Sequence, residues 1–183
     1  VDTSTMICTV ERVDDMVDNS ADVRRSWSVT ETPVTDPVSA DLLRRYFTDV
    51  ACSFYGRPAT EAEIDTAMAE DPSDDLVPPG GLFLVGRLGG EPAGCVGLRF
   101  GPPGFAELTR MFVAPSARRG GGGGTLLAAA ELAARTRGAH TVRLDTRLDL
   151  VEARALYEKH GYREIPAYSE GPYAQIWYGI ELT

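Results

Sequence analysis

Val113-Ala-Pro-Ser-Ala-Arg-Arg-Gly-Gly-Gly-Gly-Gly-Thr-Leu-Leu127 decides how this chain is read. It follows an apolar, strand-like run, Ala106 to Val113, and it opens onto an alanine- and leucine-rich stretch with helical character. A glycine run by itself is most often a flexible linker. Between a strand and a helix it has another use. With no side chains in the way, consecutive N–H groups converge on an anion at the positive end of the helix. Arg118 and Arg119 add positive charge beside it.

Two kinds of phosphate loop are excluded residue by residue. A P-loop ends its glycines with Gly-Lys-Ser/Thr, and here Gly124 is followed by Thr125 with no lysine. A dinucleotide loop needs glycines at i, i+2 and i+5 directly after a strand; counted from Gly120 the last falls on Thr125, from Gly121 on Leu126, and Ala114 to Arg119 intervene. What fits is Arg118-x-x-Gly121-x-Gly123. With Val-Ala-Pro ahead of it, this resembles the acyl-CoA pyrophosphate loop (Q/R-x-x-G-x-G/A) of the GNAT superfamily of N-acetyltransferases. Leu144-Asp-Thr146 followed by Ala153-Arg-Ala-Leu-Tyr-Glu-Lys-His-Gly-Tyr162 resembles the later signature of the same superfamily, and one helix and one strand fit between the two. The resemblance is fullest from about Leu82 to Tyr162, extends in outline over Trp27 to Gly81 and Arg163 to Thr183, and does not reach the first twenty or so residues. Arg119 departs from it, standing where many members have a glycine.

The resemblance implies a GNAT-like α/β fold with a mixed, mostly antiparallel central sheet of six to seven strands and about four flanking helices. It implies acetyl transfer from acetyl-CoA to the primary amine of a small acceptor, by direct attack in a ternary complex. A non-catalytic acyl-CoA-binding sensor of the same fold is the alternative, and a homodimer is left open. The backbone of Met111, Phe112 and Val113 is expected to pair with the pantetheine arm. Arg118, Arg119, Gly120, Gly121, Gly122, Gly123, Gly124 and Thr125 are expected to hold the pyrophosphate.

Acyl transfer from a thioester needs a neutral amine, a donor for the developing oxyanion and a proton for the leaving thiolate. Glu107, eleven residues before Arg118, lies where some GNAT members that resemble this chain place a catalytic glutamate. The bland reading makes it a solvated strand residue or a partner of Arg99 or Arg110, and the sequence does not separate the two. Tyr157 is the acid candidate, because the resemblance puts this tyrosine near the coenzyme sulfur and a phenol of pKa about 10 can protonate a thiolate. Its bland reading is an aromatic packing helix on sheet. His140 and His160 read as structural or surface residues. Tyr46, Tyr55, Tyr168, Tyr173 and Trp177 fall in regions that resemble the substrate-facing helices and terminal strands of the superfamily, and core packing or a dimer contact is the expected role of each taken singly.

Composition narrows the partners. A formal charge of -9 argues against nucleic acid. Cys8, Cys52 and Cys95 are odd in number and far apart, so neither a disulfide framework nor a metal site is expected, and a reducing cytoplasm fits. No run is apolar for the ~20 residues that cross a membrane, and the first residues lack the pattern of a secretory signal.

Residues 1–25 read as a polar tail and 26–183 as one domain. Within the domain, Trp27 to Thr30 reads as a strand. Asp36-Pro37 caps a helix running to about Phe54 with Leu43, Phe47, Val50 and Phe54 as its stripe, and Thr60-Glu-Ala-Glu63 opens a second through Glu70. Strands follow at Leu82–Leu88, Ala93–Phe100 and Ala106–Val113. A helix from about Gly122 to Arg137 carries a Glu131–Arg135 pair, and Thr141–Thr146 is the next strand. Asp149-Leu-Val-Glu152 reads as a capping box for a helix through Lys159, and Tyr162–Ala167 and Ala174–Leu182 as the last strands.

Overall fold

The computed structural model describes residues 26–183, so the expected tail lies outside the described residues. Its elements run β1 (Trp27–Glu31), α1 (Pro37–Tyr55), α2 (Glu61–Glu70), β2 (Gly81–Leu88), β3 (Glu91–Gly101), β4 (Phe105–Val113), a 3₁₀ turn (Pro115–Ala117), α3 (Gly122–Thr136), β5 (Thr141–Thr146), α4 (Val151–Lys159), β6 (Arg163–Glu164) and β7 (Ile176–Glu181). Seven strands make one sheet in the order β1-β2-β3-β4-β5-β7-β6. Every neighbour is antiparallel except the β4–β5 pair. This is the mixed, mostly antiparallel architecture the sequence implies.

Local chemistry accounts for most boundaries. The Asp36 carboxylate accepts from the Val38 N–H at 2.8 Å, with Pro37 at the first helical position where its missing donor costs nothing. Thr60 and Glu63 form the full reciprocal box at the start of α2. Gly89-Gly90 makes the two-residue turn between β2 and β3, both with positive φ.

Four expectations are corrected. Asp149 does not cap α4, whose N-cap is Leu150 without a side-chain bond; the Asp149 carboxylate is taken by Arg147 and by Ser53, whose hydroxyl donates at 2.9 Å. Glu131 accepts from the Tyr162 hydroxyl at 3.2 Å instead of pairing with Arg135. The penultimate strand shrinks to Arg163–Glu164, because the 165–175 segment leaves the sheet and arches over one face. On α1 the buried stripe is Leu42, Leu43, Phe47 and Ala51, while Val50 is half-buried and Phe54 is exposed.

The sheet separates two cores. On one face α3 and α4 lay Leu126, Leu127, Ala130, Ala134 and Tyr157 against Leu84, Val96, Leu98, Val142, Leu144 and Tyr178. On the other, α1 and the segment after α2 set Leu42, Leu43 and Leu76 against Phe83, Val85, Cys95 and Phe112.

The glycine run divides between these tasks. A Cβ on Gly122 would meet the Trp27 ring at 2.2 Å, one on Gly123 Leu156 at 2.9 Å, and one on Gly124 His160 at 2.8 Å. So three of the five glycines let the first turn of α3 wedge between β1 and α4. Trp27 also donates from its indole N–H to the Gly120 carbonyl at 3.0 Å. Gly122→Ala should lower unfolding stability by about 1 kcal/mol or more, because overpacking costs ~1–3 kcal/mol and exceeds the helix-propensity gain of alanine. Gly80→Ala, with open space around the added carbon, should stay within about 0.5 kcal/mol in the same denaturant titration.

Candidate active site

The site is built on a strand that loses its neighbour. β4 pairs with β5 only through Phe105↔Thr141, Ala106↔Val142 and Glu107↔Arg143, after which the two parallel strands diverge. On its other side β4 stays with β3 but carries a bulge: between the Gly97↔Thr109 and Cys95↔Phe112 pairs, Arg110 and Met111 oppose Val96 alone. Arg110 takes the left-handed backbone there, with φ 53.

The bulge sets which backbone groups reach the gap. The Ala114 N–H bonds back to the Ala93 carbonyl at 2.8 Å, so by strand alternation Phe112 also faces β3 while Met111 and Val113 turn their N–H and C=O groups to the open edge. Phe112 therefore stands apart from the other two residues expected to pair with pantetheine: its ring belongs to the core under the Arg45 guanidinium.

The Arg110 side chain is 3% exposed. Its guanidinium donates to Ser73 Oγ at 3.0 Å, to the Asp71 carbonyl at 2.9 Å and to Thr109 Oγ1 at 3.1 Å, pairs with the Asp71 carboxylate at 2.7 Å and lies over the Tyr46 and Phe47 rings. It ties the segment after α2 to the bulge. Nothing in the sequence marks it, since a positive φ inside a strand leaves no compositional sign.

At the far end of the gap lies the glycine loop. Arg119 has φ 63, so it adopts the left-handed backbone that the glycine of related loops would take, and Gly121 is the N-cap with φ 82. No side chain caps this helix, and the first intrahelical bond runs from the Thr125 N–H to the Gly121 carbonyl. The N–H groups of Gly121 to Gly124 thus have no partner within the helix. The Thr125 hydroxyl donates to the Gly121 carbonyl at 3.1 Å. Arg118 is turned away from the loop: its Nε donates to the Val113 carbonyl at 3.0 Å and its terminal nitrogens reach Asp49 at 2.9 Å and Glu152 at 3.7 Å. Arg119 is exposed and meets no carboxylate among the described residues.

Glu107 sits where the strands part, on the face that α1 covers only in part. Its side chain is 25% exposed, and its nearest cations are Arg143 at 3.8 Å and Arg99 at 4.0 Å, both beyond hydrogen-bond length. Arg110, the other partner considered for it, is engaged elsewhere. Burial, then the Asp145 carboxylate, hold the Glu107 carboxyl above its usual range, with Arg143 and Arg99 opposing. Asp145 is likewise raised by burial and makes no ion pair among the described residues, accepting only from Ser169 Oγ at 3.1 Å. Over this pair lies Tyr168, whose buried hydroxyl has no partner among the described residues and whose ring stacks on the Arg143 guanidinium at 3.9 Å. Trp177 donates to Ser169 at 2.8 Å, fastening the 165–175 segment. Tyr173 meets Phe54 of α1 edge to face at 5.7 Å, and Tyr55 adjoins Phe54, so exposed aromatics rim this side.

Tyr157 approaches from the opposite face. It is 4% exposed, against Tyr162 and Tyr178. Burial pushes its phenol up, and Tyr46 from α1 adds to the shift. The histidines lie outside: His140 bonds the Pro103 carbonyl at 2.8 Å, and His160 ends α4 against Gly124.

Comparison with known proteins identifies the family and the fold. The model of the acetyltransferase (GNAT) family matches residues 41–162. The fold is similar to that of a protein from Klebsiella pneumoniae with an acyl-CoA N-acyltransferase designation, at 27% identity over 87% of this chain and 99% of that one, TM-score 0.66. It is also similar to a GNAT-family acetyltransferase from Staphylococcus aureus, at 18% identity over 86% and 100% of the two chains, TM-score 0.69. A third similar structure, an aminoglycoside 6'-N-acetyltransferase complexed with coenzyme A, is 18% identical over 85% and 97%, TM-score 0.59. No curated protein matches the sequence.

The loop backbone gives a test. Arg119→Gly should leave stability equal to or up to about 1 kcal/mol above wild type, since it removes a left-handed non-glycine residue. Gly121→Ala should lower it by about 1 kcal/mol for the opposite reason. Thermal and urea unfolding measure both.

Proposed function

Because the chain belongs to the GNAT acetyltransferase family, we propose that it acetylates the primary amine of a small cationic acceptor at the gap between β4 and β5. The observation that supports the reading is the parting of β4 from β5 just beyond Glu107, which leaves the Met111 backbone and the Val113 N–H without a strand partner on that side; Tyr157 lies in the core of the opposite face. The uncapped N–H groups of Gly121 to Gly124 fit a pyrophosphate, with the exposed Arg119 as its cation. Arg118, held by Asp49 and Glu152, keeps the mouth of the gap in shape.

In this reading acetyl-CoA brings the activated acetyl group, and the residues supply the rest. Glu107, or a water held by it, removes the proton that an alkylammonium carries at neutral pH. An N–H of the β4 edge donates to the carbonyl oxygen as negative charge gathers on it. Tyr157 gives its proton to the departing sulfur and regains one from the nitrogen as the amide forms, and its raised phenol remains protonated through the working pH range. Asp145, a half-buried carboxylate that makes no ion pair among the described residues, favours an acceptor that arrives positively charged. The free thiols Cys52 and Cys95 suit a reducing cytoplasm. No helix among the described residues is long and apolar enough to cross a membrane.

Binding and turnover test this separately. At a hundredfold excess over its dissociation constant, CoA should stabilise the fold by about 2.7 kcal/mol, with ATP markedly weaker at the same concentration. Equal stabilisation by the two would reject the loop assignment. Arg119→Ala should weaken CoA binding with folding intact.

Thiol release across a panel of small amines should identify acceptors, whereas a sensor would bind acetyl-CoA and release none. With an accepted amine, Glu107→Gln should cost ~10²–10⁴ in kcat with CoA affinity little changed. A loss under about threefold would make a water relay the base. The Glu107 carboxyl is raised, so it is protonated over more of the acid range; the acidic limb of the rate should fall above the ordinary ~4.3 of a glutamate. Tyr157→Phe should lower kcat without shifting that limb.

A further inference from the structure

Arg99 and Glu107 are directly opposed on β3 and β4, where opposite charges ordinarily pair across the strands. They do not close. The Arg99 guanidinium is turned onto the Asp75 carboxylate, bonding one oxygen through Nε and the other through a terminal nitrogen at 3.3 Å. A terminal nitrogen stands 3.9 Å from Asp71, and only the remaining one faces Glu107, at 4.0 Å. The segment carrying these aspartates is fixed from below. Arg110 holds Asp71 and Ser73, and Leu76 is 1% exposed against the core strands.

We propose that Asp75 is a positioning residue for the reaction: it holds the Arg99 guanidinium and so keeps it from closing onto Glu107, its cross-strand partner. This rests on the reading of Glu107 as the base. A carboxylate clamped by an arginine in two-point contact is a poor proton acceptor, because the guanidinium stabilises its charged form. Asp75 takes up that clamp. The other charged and titratable groups facing Glu107 are Arg143 and Asp145 on β5 and the Tyr168 phenol on the 165–175 segment. Arg143 cannot replace Arg99 freely, since its guanidinium is sandwiched between the Phe105 ring at 3.5 Å and the Tyr168 ring at 3.9 Å.

The test reads Glu107 directly and needs no acceptor. Full-length protein labelled with carboxyl-¹³C glutamate is titrated by NMR, the Glu107 signal being the one missing from Glu107→Gln. Asp75→Asn should lower the Glu107 midpoint by about 0.5 unit or more as Arg99 swings over, and Arg99→Gln should raise it by a similar amount. Asp75 also acts on Glu107 as a like charge through space, so the double variant decides. With Arg99 absent, Asp75→Asn should shift Glu107 by less than half as much as it does in the wild-type background.

Equal shifts in both backgrounds, or no shift in either, would overturn the proposal. Asp75 is about half exposed, so its replacement leaves the core intact. With an accepted amine, the acidic limb of kcat/KM should move in the same directions. Full activity of Glu107→Gln would reject the base assignment while leaving the NMR cycle readable.

Discussion

Three residue pairs hold β4 to β5, and the divergence after Glu107↔Arg143 is the constraint on which the site depends. A parallel pair continued to the end of β4 would close the backbone edge at Met111 and Val113. The bulge at Arg110 keeps that edge open by turning β4 while its bonds to β3 are retained, as the Ala114–Ala93 bond beyond the bulge shows. A left-handed non-glycine residue costs of order 1–3 kcal/mol. Here the buried guanidinium offsets it with bonds to Ser73, Thr109 and Asp71.

The parting of the strands also explains how residues from separate cores meet. Glu107 projects to the face of α1, and Tyr157 belongs to the core under α3 and α4. In a continuous sheet they would be screened from one another. Burial, and after it the Tyr46 phenol of the α1 face, hold the Tyr157 phenol above its usual range. The glycine loop closes the same gap at its end, since the wedge of Gly122 to Gly124 between Trp27 and α4 sets where the free N–H groups begin.

Charge around Glu107 is arranged by competition among neighbours. Asp75 and Asp71 draw on Arg99, the rings of Phe105 and Tyr168 trap Arg143, and Ser169 alone serves Asp145. The result is a half-buried carboxyl with two arginines nearby and neither in contact. The arched 165–175 segment contributes to this arrangement, and that is why it is not a strand: Tyr168 and Ser169 are engaged with side chains on the sheet face.

The sequence by itself determined the element order, the helix starts at Asp36 and Thr60, the Gly89-Gly90 hairpin, the loop between β4 and α3, and the family. Those features are set by local rules, in which a cap, a turn or a glycine acts within a few residues. Its failures were local signals overruled by competing side chains: Asp149 had the form of a cap but was taken by Arg147 and Ser53, and Glu131 was taken by Tyr162. Only the tertiary structure decided that Arg118 turns from the loop to Asp49, that Phe112 faces β3, and that Asp75 stands between Arg99 and its cross-strand partner. Each depends on a contact across many residues of chain, and the choice among competing partners is made by which side chains the packed sheet brings within reach.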